Sequence, residues 1–588
     1  MDRILVVDFG GQYAHLISNR LRRLGFLVDI ALPEDSLQEI RTGTVRGLIL
    51  SGGPSSVYEK HAPSIDSKIF SSKLPVLGIC YGHQLIAYKL GGEVSKGAVR
   101  EYGLAKINIE RDTLFDGLGK KQVVWMSHGD SVKKMPAGFR AIAGSGDCRV
   151  AGMADDKRNI FGIQFHPEVM HTVNGIRILE NFAGKICSCK REWNPENYAN
   201  EIYGCLKNVK KVFLLVSGGV DSVVLFTLLN KALGKENVFG LHVDTGFMRA
   251  DESEKVRKAL ERLGFDNLEI IDCSEKFLDA LKDTVGPEEK RKIIGNLFID
   301  IISEKSERIL SDGDWVIAQG TIYPDTIESK GTKNAQLIKT HHNRVPKMQI
   351  LIRKGKVIEP LSHLYKDEVR ALGKTLGLPD RIVKRHPFPG PGLAVRILCN
   401  DKKAEDVSRI NEKVRRIEKS AFVLPIKSVG VQGDCRTYKH PAVISAWKGW
   451  PELERISTSI TNKMPEINRV LLLVKKRKGL LTLKDGRMTK SRINLLRRAD
   501  AIVTQSIKKN GFYDKIWQMP VVLAPLSVDG GESIILRPVD SQEAMTARFS
   551  RIPPKIVKNI ADSLLRMKRI DAVFYDITNK PPATIEWE

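Results

Sequence analysis

The chain has 588 residues, too many for a single hydrophobic core, so its length predicts two to four domains. Hydrophobic residues make up 42% and charged residues 28%, as in ordinary globular proteins, and no apolar run reaches the roughly 18 residues that span a bilayer. The opening stretch MDRILVVDFGGQ lacks the basic and long apolar regions of a signal peptide. These features argue against a membrane-spanning or secreted protein and predict a cytoplasmic one.

The chain is strongly basic, with 94 Lys and Arg against 69 Asp and Glu and a net charge of +25. Such a balance favours a polyanionic partner, either nucleic acid or several phosphorylated small molecules, although a lysine-rich solvated surface would produce the same count. The densest basic stretch, 474–498, carries Leu and Ile between its charges rather than aromatic residues. That pattern favours a solvated face of a folded domain over a nucleic-acid site.

The eight cysteines are scattered along the chain, and only Cys187 and Cys189 lie close together. No second pair of Cys or His residues completes the spacing of a zinc site. We therefore predict reduced, mainly structural thiols, as in a cytosolic protein.

The predicted elements form three blocks in chain order. Short apolar strands such as ILVVDF and LPVLGIC alternate with helical stretches up to about residue 190, and a second strand–helix series begins at KVFLLV after a polar linker at 191–200. The Pro- and Gly-rich run RHPFPGPGLAVR (385–396) must be an ordered loop, and the remainder mixes strands and helices. The predicted fold class is α/β: two consecutive α/β domains with mainly parallel sheets, 1–190 and 191–396, and an α+β domain, 397–588.

Cys80 lies where the strand PVLGIC runs directly into the helix YGHQLIAYKL. Gly78 and Gly82 flank it two residues before and two after, as in the nucleophile elbow of hydrolases, where small residues let a strained turn pack. A helix N-terminus lowers a thiol pKa and turns backbone N–H groups towards a developing oxyanion. A small buried residue at a strand end would leave the same local pattern.

A histidine partner for Cys80 occurs in FGIQFHPEV, a strand that ends in His166 with Glu168 two residues further on. A cysteine hydrolase needs an imidazole to take the thiol proton and a carboxylate to orient the imidazole. The alternative is an ordinary strand-end histidine before Pro167. Two Gly-rich turns, in GLILSGGPSS and MSHGDSV, supply further backbone donors and polar side chains.

GICYGHQ, SGGP, SHGD and FHPE, in this order, resemble the class I glutamine amidotransferase family over residues 1 to about 190. The resemblance implies that Cys80 attacks the side-chain amide of glutamine, that His166 is the acid–base group and that Glu168 orients it. It also implies oxyanion N–H groups and glutamine contacts at a further set of residues. These are Gly53, Tyr81, Gln84, Ser127, His128 and Asp130.

The second block opens with SGGVDS (217–222) between the strand FLLV and an apolar helix. Gly218 and Gly219 let backbone N–H groups converge on an anion, and Ser217 and Ser222 add hydroxyls. The loop lacks the Lys of a P-loop, which argues against a GTPase or classical ATPase. Asp221 would repel phosphate but could hold Mg²⁺. A generic Gly-rich strand-to-helix turn is the alternative.

SGGVDS resembles the signature loop of the ATP-pyrophosphatase family, which cleaves ATP between its α and β phosphates and adenylates a substrate oxygen. Further stretches resemble the GMP synthetase family, among them HVDTGFMRADESE, AQGTIYPDTIES, LIKTHHN, RHPFPGPGLAVR, VGVQGDCRTY, IWQMP and KPPATIEWE. The resemblance implies a C–N-forming ligase of purine biosynthesis that aminates XMP to GMP, with ATP, XMP and glutamine as substrates.

The resemblance also assigns the nucleotide sites. ATP would lie along Ser217, Gly218, Gly219, Val220, Asp221 and Ser222, with Val243, Gly320 and Lys339 nearby. XMP would contact Arg249, Asp434, Gln518, Lys580 and Glu586. The basic residues Lys290–Lys292 would reach the ATP phosphates, or form a solvated helix face. The stretch 580–588 is expected to tuck into the XMP site rather than fray. Mg²⁺ is expected with ATP, at Asp221, and no organic prosthetic group is expected.

Departures from the bacterial pattern occur after THHN, where RVPKM replaces a glycine-rich run, and at 440–510, which is interpreted as an insertion in the C-terminal domain. The insertion leaves both a monomer and a homodimer open. Nucleic acid is not required, but a tRNA-modifying ATP-pyrophosphatase remains an alternative that the charge favours. A non-catalytic regulator on an amidotransferase scaffold is the other alternative, and it would predict loss of Cys80, His166 or Glu168.

Overall fold

The computed structural model describes residues 2–11, 13–309, 315–323, 356–401, 405–432, 435–541 and 547–588. The chain divides into two compact units, Met1–Glu201 and Ile202–Glu588. The predicted boundaries at residues 190 and 396 and the insertion at about 440–510 stay predictions.

The first unit is built on a nine-stranded sheet with the order β2-β1-β3-β4-β9-β8-β7-β5-β6. Its strands are β1 Arg3–Val7, β2 Leu27–Ala31, β3 Val45–Leu50, β4 Val76–Ile79, β5 Glu93–Ile109, β6 Lys121–Lys134, β7 Arg140–Gly144, β8 Gly152–Asp155 and β9 Ile160–Ile163. The pairs from β2 to β9 along this order are parallel, and those from β9 to β6 are antiparallel. The sheet is therefore half parallel, and its antiparallel half is a finding of the structure.

Helices cover this sheet because its central strands are apolar on both faces. In β1, Ile4 and Val6 pack into one core cluster, while Leu5 and Val7 pack into a second one. The helices of the unit are α1 Ala14–Arg23, α2 Ser36–Arg41, α3 Tyr81–Lys89, α4 Gly175–Glu180 with a π-helical continuation at Asn181–Ile186, and α5 Pro195–Cys205, which runs past the unit boundary.

The second unit opens with a five-stranded parallel sheet of order β12-β11-β10-β13-β14. Its strands are β10 Lys211–Leu215, β11 Val238–Asp244, β12 Leu268–Asp272, β13 Trp315–Ala318 and β14 Val357–Ile358. The associated helices are α6 Val220–Leu233, α7 Glu252–Glu261, α8 Ser274–Leu281, α9 Pro287–Ile309, α10 Lys366–Thr375 and α11 Asp380–Val383. Parallel strands with helical crossovers match the predicted α/β block.

A mixed seven-stranded sheet follows, with the order β15-β17-β18-β25-β22-β20 and β16 paired to β17. Its strands are β15 Ala421–Val423, β16 Ser428–Gln432, β17 Cys435–Ile444, β18 Ile467–Lys476, β20 Val521–Ala524, β22 Glu532–Leu536 and β25 Ile570–Asp576. Two short pairs accompany it: β19 Thr482–Leu483 with β21 Leu526–Ser527, and β23 Val539–Asp540 with β24 Arg548–Phe549. The helices are α12 Ser408–Ile417, α13 Trp450–Lys463, α14 Lys490–Lys509 and α15 Pro554–Leu565. The predicted fold class is confirmed.

None of the helices in the described ranges is long and apolar enough to cross a membrane. The seven cysteines whose side chains are described are all free thiols.

The basic stretch 474–498 lies on β18, β19 and α14, and many of its charges are exposed. Arg492 differs, because it is buried and pairs with Glu532 through an Nη2–Oε2 contact of 2.7 Å. The stretch is therefore not a solvated face throughout.

Candidate functional site

The first candidate site forms where β4 runs into α3. Cys80 joins the two elements with φ +53° and ψ −103°, a backbone conformation that L-residues seldom adopt. A Cβ atom on Gly82 would lie 2.2 Å from the Leu50 carbonyl oxygen, and one on Gly78 would lie 2.5 Å from the backbone of Gly82. Both glycines are therefore required by close packing, as a nucleophile elbow demands.

His166 and Glu168 lie just after β9 and are almost fully buried. Nδ1 of His166 is 2.7 Å from Oε1 of Glu168, while the His166 backbone N–H donates to the Trp125 carbonyl. Burial by itself lowers the pKa of His166, but the Glu168 carboxylate and the Cys80 side chain outweigh it and hold that pKa well above its usual value. The imidazole is thus prepared to carry a proton beside the thiol.

A cavity of about 590 Å³ opens above Cys80, a size that suits a small ligand. All residues to which the sequence assigns oxyanion or glutamine contacts line it: Gly53, Tyr81, Gln84, Ser127, His128 and Asp130. The structure therefore brings together at one cavity a set that spans residues 53–130 of the sequence.

Two polar side chains at this site escaped the sequence analysis. Gln164 donates from Nε2 towards Cys80 Sγ at 3.7 Å, and its Oε1 accepts from Gln84. Tyr58 lines the cavity and donates to Asp130 Oδ1 at 3.1 Å. Gln164 precedes His166 by two residues in FGIQFHPEV, so its closeness to the predicted catalytic histidine was the signal that could have found it.

The second candidate site is the loop between β10 and α6. Ser217 Oγ accepts from the Gly219 N–H and lies 3.2 Å from Ser222 Oγ, which folds the loop into a tight turn. Gly218 has φ +77°, a left-handed conformation that a residue without a side chain adopts at no steric cost. The loop ends in the N-terminus of α6, where Val220 and Asp221 begin the helix, so its backbone suits an anion.

Gly320 lies beside this loop, and Val243 lies on the strand next to β10. A Cβ on Gly320, which follows β13, would lie 3.6 Å from the Ser222 nitrogen. Val243 is buried near the end of β11, the neighbouring strand. Lys339 lies outside the described residues.

Two cations that the sequence analysis did not single out contact the loop. Lys366, at the start of α10, forms an ion pair with Asp221 Oδ2. Arg385 donates to the Gly218 carbonyl and forms an ion pair with Glu252. Both lie far from the loop in sequence; Arg385 opens the stretch RHPFPGPGLAVR, but that pattern does not show which loop it contacts.

Lys290 and Arg291 both contact Glu588, a partner that the sequence did not predict. Lys290 is fully buried, its Nζ lies 2.5 Å from Glu588 Oε2, and it also donates to the Ile397 carbonyl. Arg291 donates to the Glu588 backbone oxygen. Only the neighbouring Lys292 is exposed. The solvated-face alternative is therefore wrong for Lys290.

Three of the residues assigned to XMP gather around Arg396 and Phe388. Arg396 forms a two-pronged ion pair with Glu586 at 2.9 and 2.7 Å, and Gln518 donates to the same carboxylate at 2.8 Å. The guanidinium groups of Arg249 and Arg396 lie over the Phe388 ring, at 4.7 and 5.0 Å from its centroid. Burial lowers the pKa of Arg249, opposed chiefly by Asp500.

The stretch 580–588 is folded within the second unit rather than frayed. Trp587 is fully buried and donates from Nε1 to Asp576 at 3.1 Å. Lys580 forms a backbone bridge with Ala547, and burial lowers its pKa. Asp434 lies outside the described residues.

Arg249 also lines a cavity of about 1110 Å³ in the second unit, together with Arg257, Arg497 and Arg498. The last two residues come from α14, inside the basic stretch of the sequence. The basic stretch 474–498 was the sequence signal for Arg497 and Arg498, although it did not show which cavity they would line.

Family models match three parts of the chain. Residues 5–186 match "Glutamine amidotransferase class-I", residues 202–298 match "NAD synthase" and residues 505–587 match "GMP synthase C terminal domain". Among curated proteins, a "Probable GMP synthase (glutamine-hydrolyzing)" of Leptospira interrogans is 47% identical over 609 aligned residues, which cover 100% of this chain and 99% of that protein. A "GMP synthase (glutamine-hydrolyzing)" of Thermosipho melanesiensis is 38% identical, with 100% of both chains covered.

Proposed function

The chain belongs to the glutamine-hydrolysing GMP synthase family, and we propose that its two candidate sites divide that family's reaction between them. The overall reaction aminates XMP to GMP, with glutamine as the amide donor and ATP split into AMP and pyrophosphate. The glutaminase half is assigned to the site of Cys80, and the synthetase half to the site at 217–222.

In the glutaminase half, Cys80 attacks the side-chain amide carbon of glutamine. His166 first takes the thiol proton and then gives it to the leaving ammonia, while Glu168 keeps the imidazole oriented and stabilises its charged form. Backbone N–H groups of Gly53 and Tyr81 hold the oxyanion. Water then hydrolyses the γ-glutamyl thioester to glutamate, with His166 as the base.

Gln84, Ser127, His128 and Asp130 are proposed to position glutamine in the 590 Å³ cavity. The observation that supports the glutaminase assignment most directly is that these residues and Cys80 line one cavity, with the buried His166–Glu168 pair beside the thiol.

In the synthetase half, the loop Ser217–Ser222 is proposed to hold the phosphates of ATP that leave as pyrophosphate. Its backbone N–H groups and hydroxyls face an anion without the Lys of a P-loop. Lys366 and Arg385 are proposed to supply the positive charge, because both already contact the loop. Val243 and Gly320 would lie near the nucleoside, and Lys339 stays a predicted phosphate contact.

Asp221 fits the Mg²⁺ that ATP brings. Its Oδ2 pairs with Lys366, and its Oδ1 is buried without a hydrogen-bond partner among the described residues. A carboxylate oxygen is the ligand that Mg²⁺ prefers, and the bound ion would offset phosphate charge.

XMP is proposed to lie against Arg249, Gln518, Glu586 and Lys580, with Asp434 as a further predicted contact. Activation of the C2 oxygen of XMP by adenylation makes AMP the leaving group, and ammonia displaces it. We also propose a cytoplasmic location and either a monomer or a homodimer, since the 440–510 stretch leaves both open.

The test is reconstitution of both half-reactions with purified protein. Incubation with ATP, Mg²⁺, XMP and glutamine should yield GMP, AMP and pyrophosphate in equal amounts. Cys80→Ala should abolish this turnover but retain turnover with ammonium salts. Loss of both activities in a folded variant, or loss of neither, contradicts the assignment.

A further inference from the structure

Three potential metal ligands meet inside the first unit, next to the glutaminase cavity, and one of them, His128, is also proposed above to contact glutamine. Glu101 on β5 and His128 on β6 are directly opposed in the antiparallel register, and Cys148 lies in the turn between β7 and β8. One ligand atom from each residue lies within 4.8 Å of the other two. Imidazole, thiolate and carboxylate together are a donor set typical of Zn²⁺.

The hydrogen bond of His128 fixes which of its ring nitrogens is free. Nδ1 lies 2.9 Å from the Asp130 carbonyl oxygen, which can only accept, so Nδ1 carries the hydrogen. Nε2 then presents a lone pair, and it lies 3.1 Å from Glu101 Oε2. A second group that fixes the ring tautomer in this way is the usual support of a metal-binding histidine.

Two acceptor atoms therefore face each other in a buried place. His128 is 6% exposed, and neither its Nε2 nor Glu101 Oε2 has a hydrogen-bond partner of good geometry among the described residues. A divalent cation between His128 Nε2 and Glu101 Oε2 would give both buried atoms a partner.

Cys148 completes the cluster with a buried thiol. Its exposure is 2%, and its sulfur lies within 4.8 Å of the other two ligand atoms. Binding of a divalent cation releases the thiol proton to solvent and leaves a thiolate ligand.

We propose that Glu101 Oε2, His128 Nε2 and Cys148 Sγ form a binding site for one divalent cation of the Zn²⁺ class. Three protein ligands leave a fourth tetrahedral position for water. His128 also lines the 590 Å³ cavity, which gives an ion a route to the site. Binding ties the β5–β6 pair to the β7–β8 turn and thereby stabilises the folded unit.

The test uses the full chain with the Cys80→Ala substitution, so that the catalytic thiol does not bind metal. Titration with Co²⁺ should show one equivalent bound, with a thiolate-to-cobalt charge-transfer band, and Zn²⁺ should displace it. Adding Cys148→Ser should remove the band and weaken Zn²⁺ binding at least tenfold. The matched control Cys205→Ser, at an exposed cysteine, should leave both unchanged.

The proposal is overturned if the Cys80→Ala protein binds neither ion, or if the band and the Zn²⁺ affinity survive Cys148→Ser. Glu101→Gln provides a second, independent test if the Cys148→Ser variant fails to fold. This variant keeps the thiol and therefore the band, but it should bind Zn²⁺ at least tenfold more weakly, and unchanged affinity contradicts the site. Metal binding is measured without turnover, so its outcome is independent of the proposed glutaminase roles.

Discussion

His166 Nδ1 lies 2.7 Å from Glu168 Oε1, with side-chain exposures of 4% and 0%. A carboxylate this close and this well desolvated holds the imidazole in one orientation and favours its protonated form. In the proposed mechanism the pair prepares His166 to take the Cys80 proton.

Glu168→Gln tests this orienting role. The amide keeps the size of the side chain but loses its charge, so the imidazolium is less stable and the ring is oriented less well. We expect glutamine-dependent turnover to fall about 100- to 10,000-fold, while ammonium-dependent GMP formation is unchanged. Steady-state assays with both nitrogen sources check this, and an equal loss with both sources argues against the assignment.

The same pair predicts a pH dependence of stability. The pKa of His166 is raised above its unfolded value near 6.5, so its stabilising contribution is complete below that pH and is lost as pH rises through the folded pKa. Burial lowers the pKa of His83 to about 3 and that of His386 to about 4. These two histidines therefore change the free energy of unfolding only below pH 6.5, where it decreases as pH falls.

As pH rises from 6.5 towards the folded pKa of His166, the free energy of unfolding of the first unit should therefore decrease, by at most about 1.4 kcal/mol per pH unit for one proton. Glu168→Gln should flatten this slope. Pulse proteolysis in urea, with peptides from residues 1–201 followed by mass spectrometry, measures it. A wild-type slope no steeper than that of the variant contradicts the prediction.

Gly82→Ala tests the packing of the elbow. The added methyl group would lie 2.2 Å from the backbone oxygen of Leu50, which cannot move without shifting β3. We expect a loss of about 1–3 kcal/mol in stability and a strong loss of glutaminase activity. Gly119→Ala is the matched control, because nothing lies within 4 Å of its added methyl group. Thermal unfolding and the glutaminase assay should separate the two variants.

Lys366→Gln tests the cation at the ATP loop. Loss of the charge next to Asp221 removes a charge-assisted contact of about 1.5–3 kcal/mol, so we expect the KM for ATP to rise about 10- to 100-fold. Glutamine and ammonium reactions should suffer equally, because both need ATP. Lys374→Gln, on the same helix and half exposed beside Asp380, is the control and should leave the KM for ATP unchanged.

Glu588→Gln tests the buried contact with Lys290. The change leaves Lys290 buried without its charge partner, and breaking a buried pair on one side costs about 3–5 kcal/mol. We expect a lower unfolding temperature for the second unit and a higher KM for XMP, because Glu586 lies two residues away. Glu288→Gln removes an exposed pair with Arg436 and should change stability by less than about 1 kcal/mol.

The sequence by itself determined the local backbone of the elbow and of the loop, and the overall class of fold. Cys80 and the two glycines around it, or Ser217–Ser222 between a strand and a helix, are local patterns whose backbone consequences follow from a few residues. The three-block α/β and α+β arrangement could likewise be predicted, because the hydrophobic periodicity of strands and helices can be read from short stretches of sequence.

Only the tertiary structure decided which distant side chains complete each site. Lys366 and Arg385 contact a loop about 150 residues earlier, Lys290 pairs with Glu588, and Cys148 meets Glu101 and His128. Such partners carry no spacing signal, because the sheet order and the packing of buried charges bring them together. The local sequence fixes a backbone shape, whereas the cost of burying an unpaired charge, which depends on the whole fold, selects its partner.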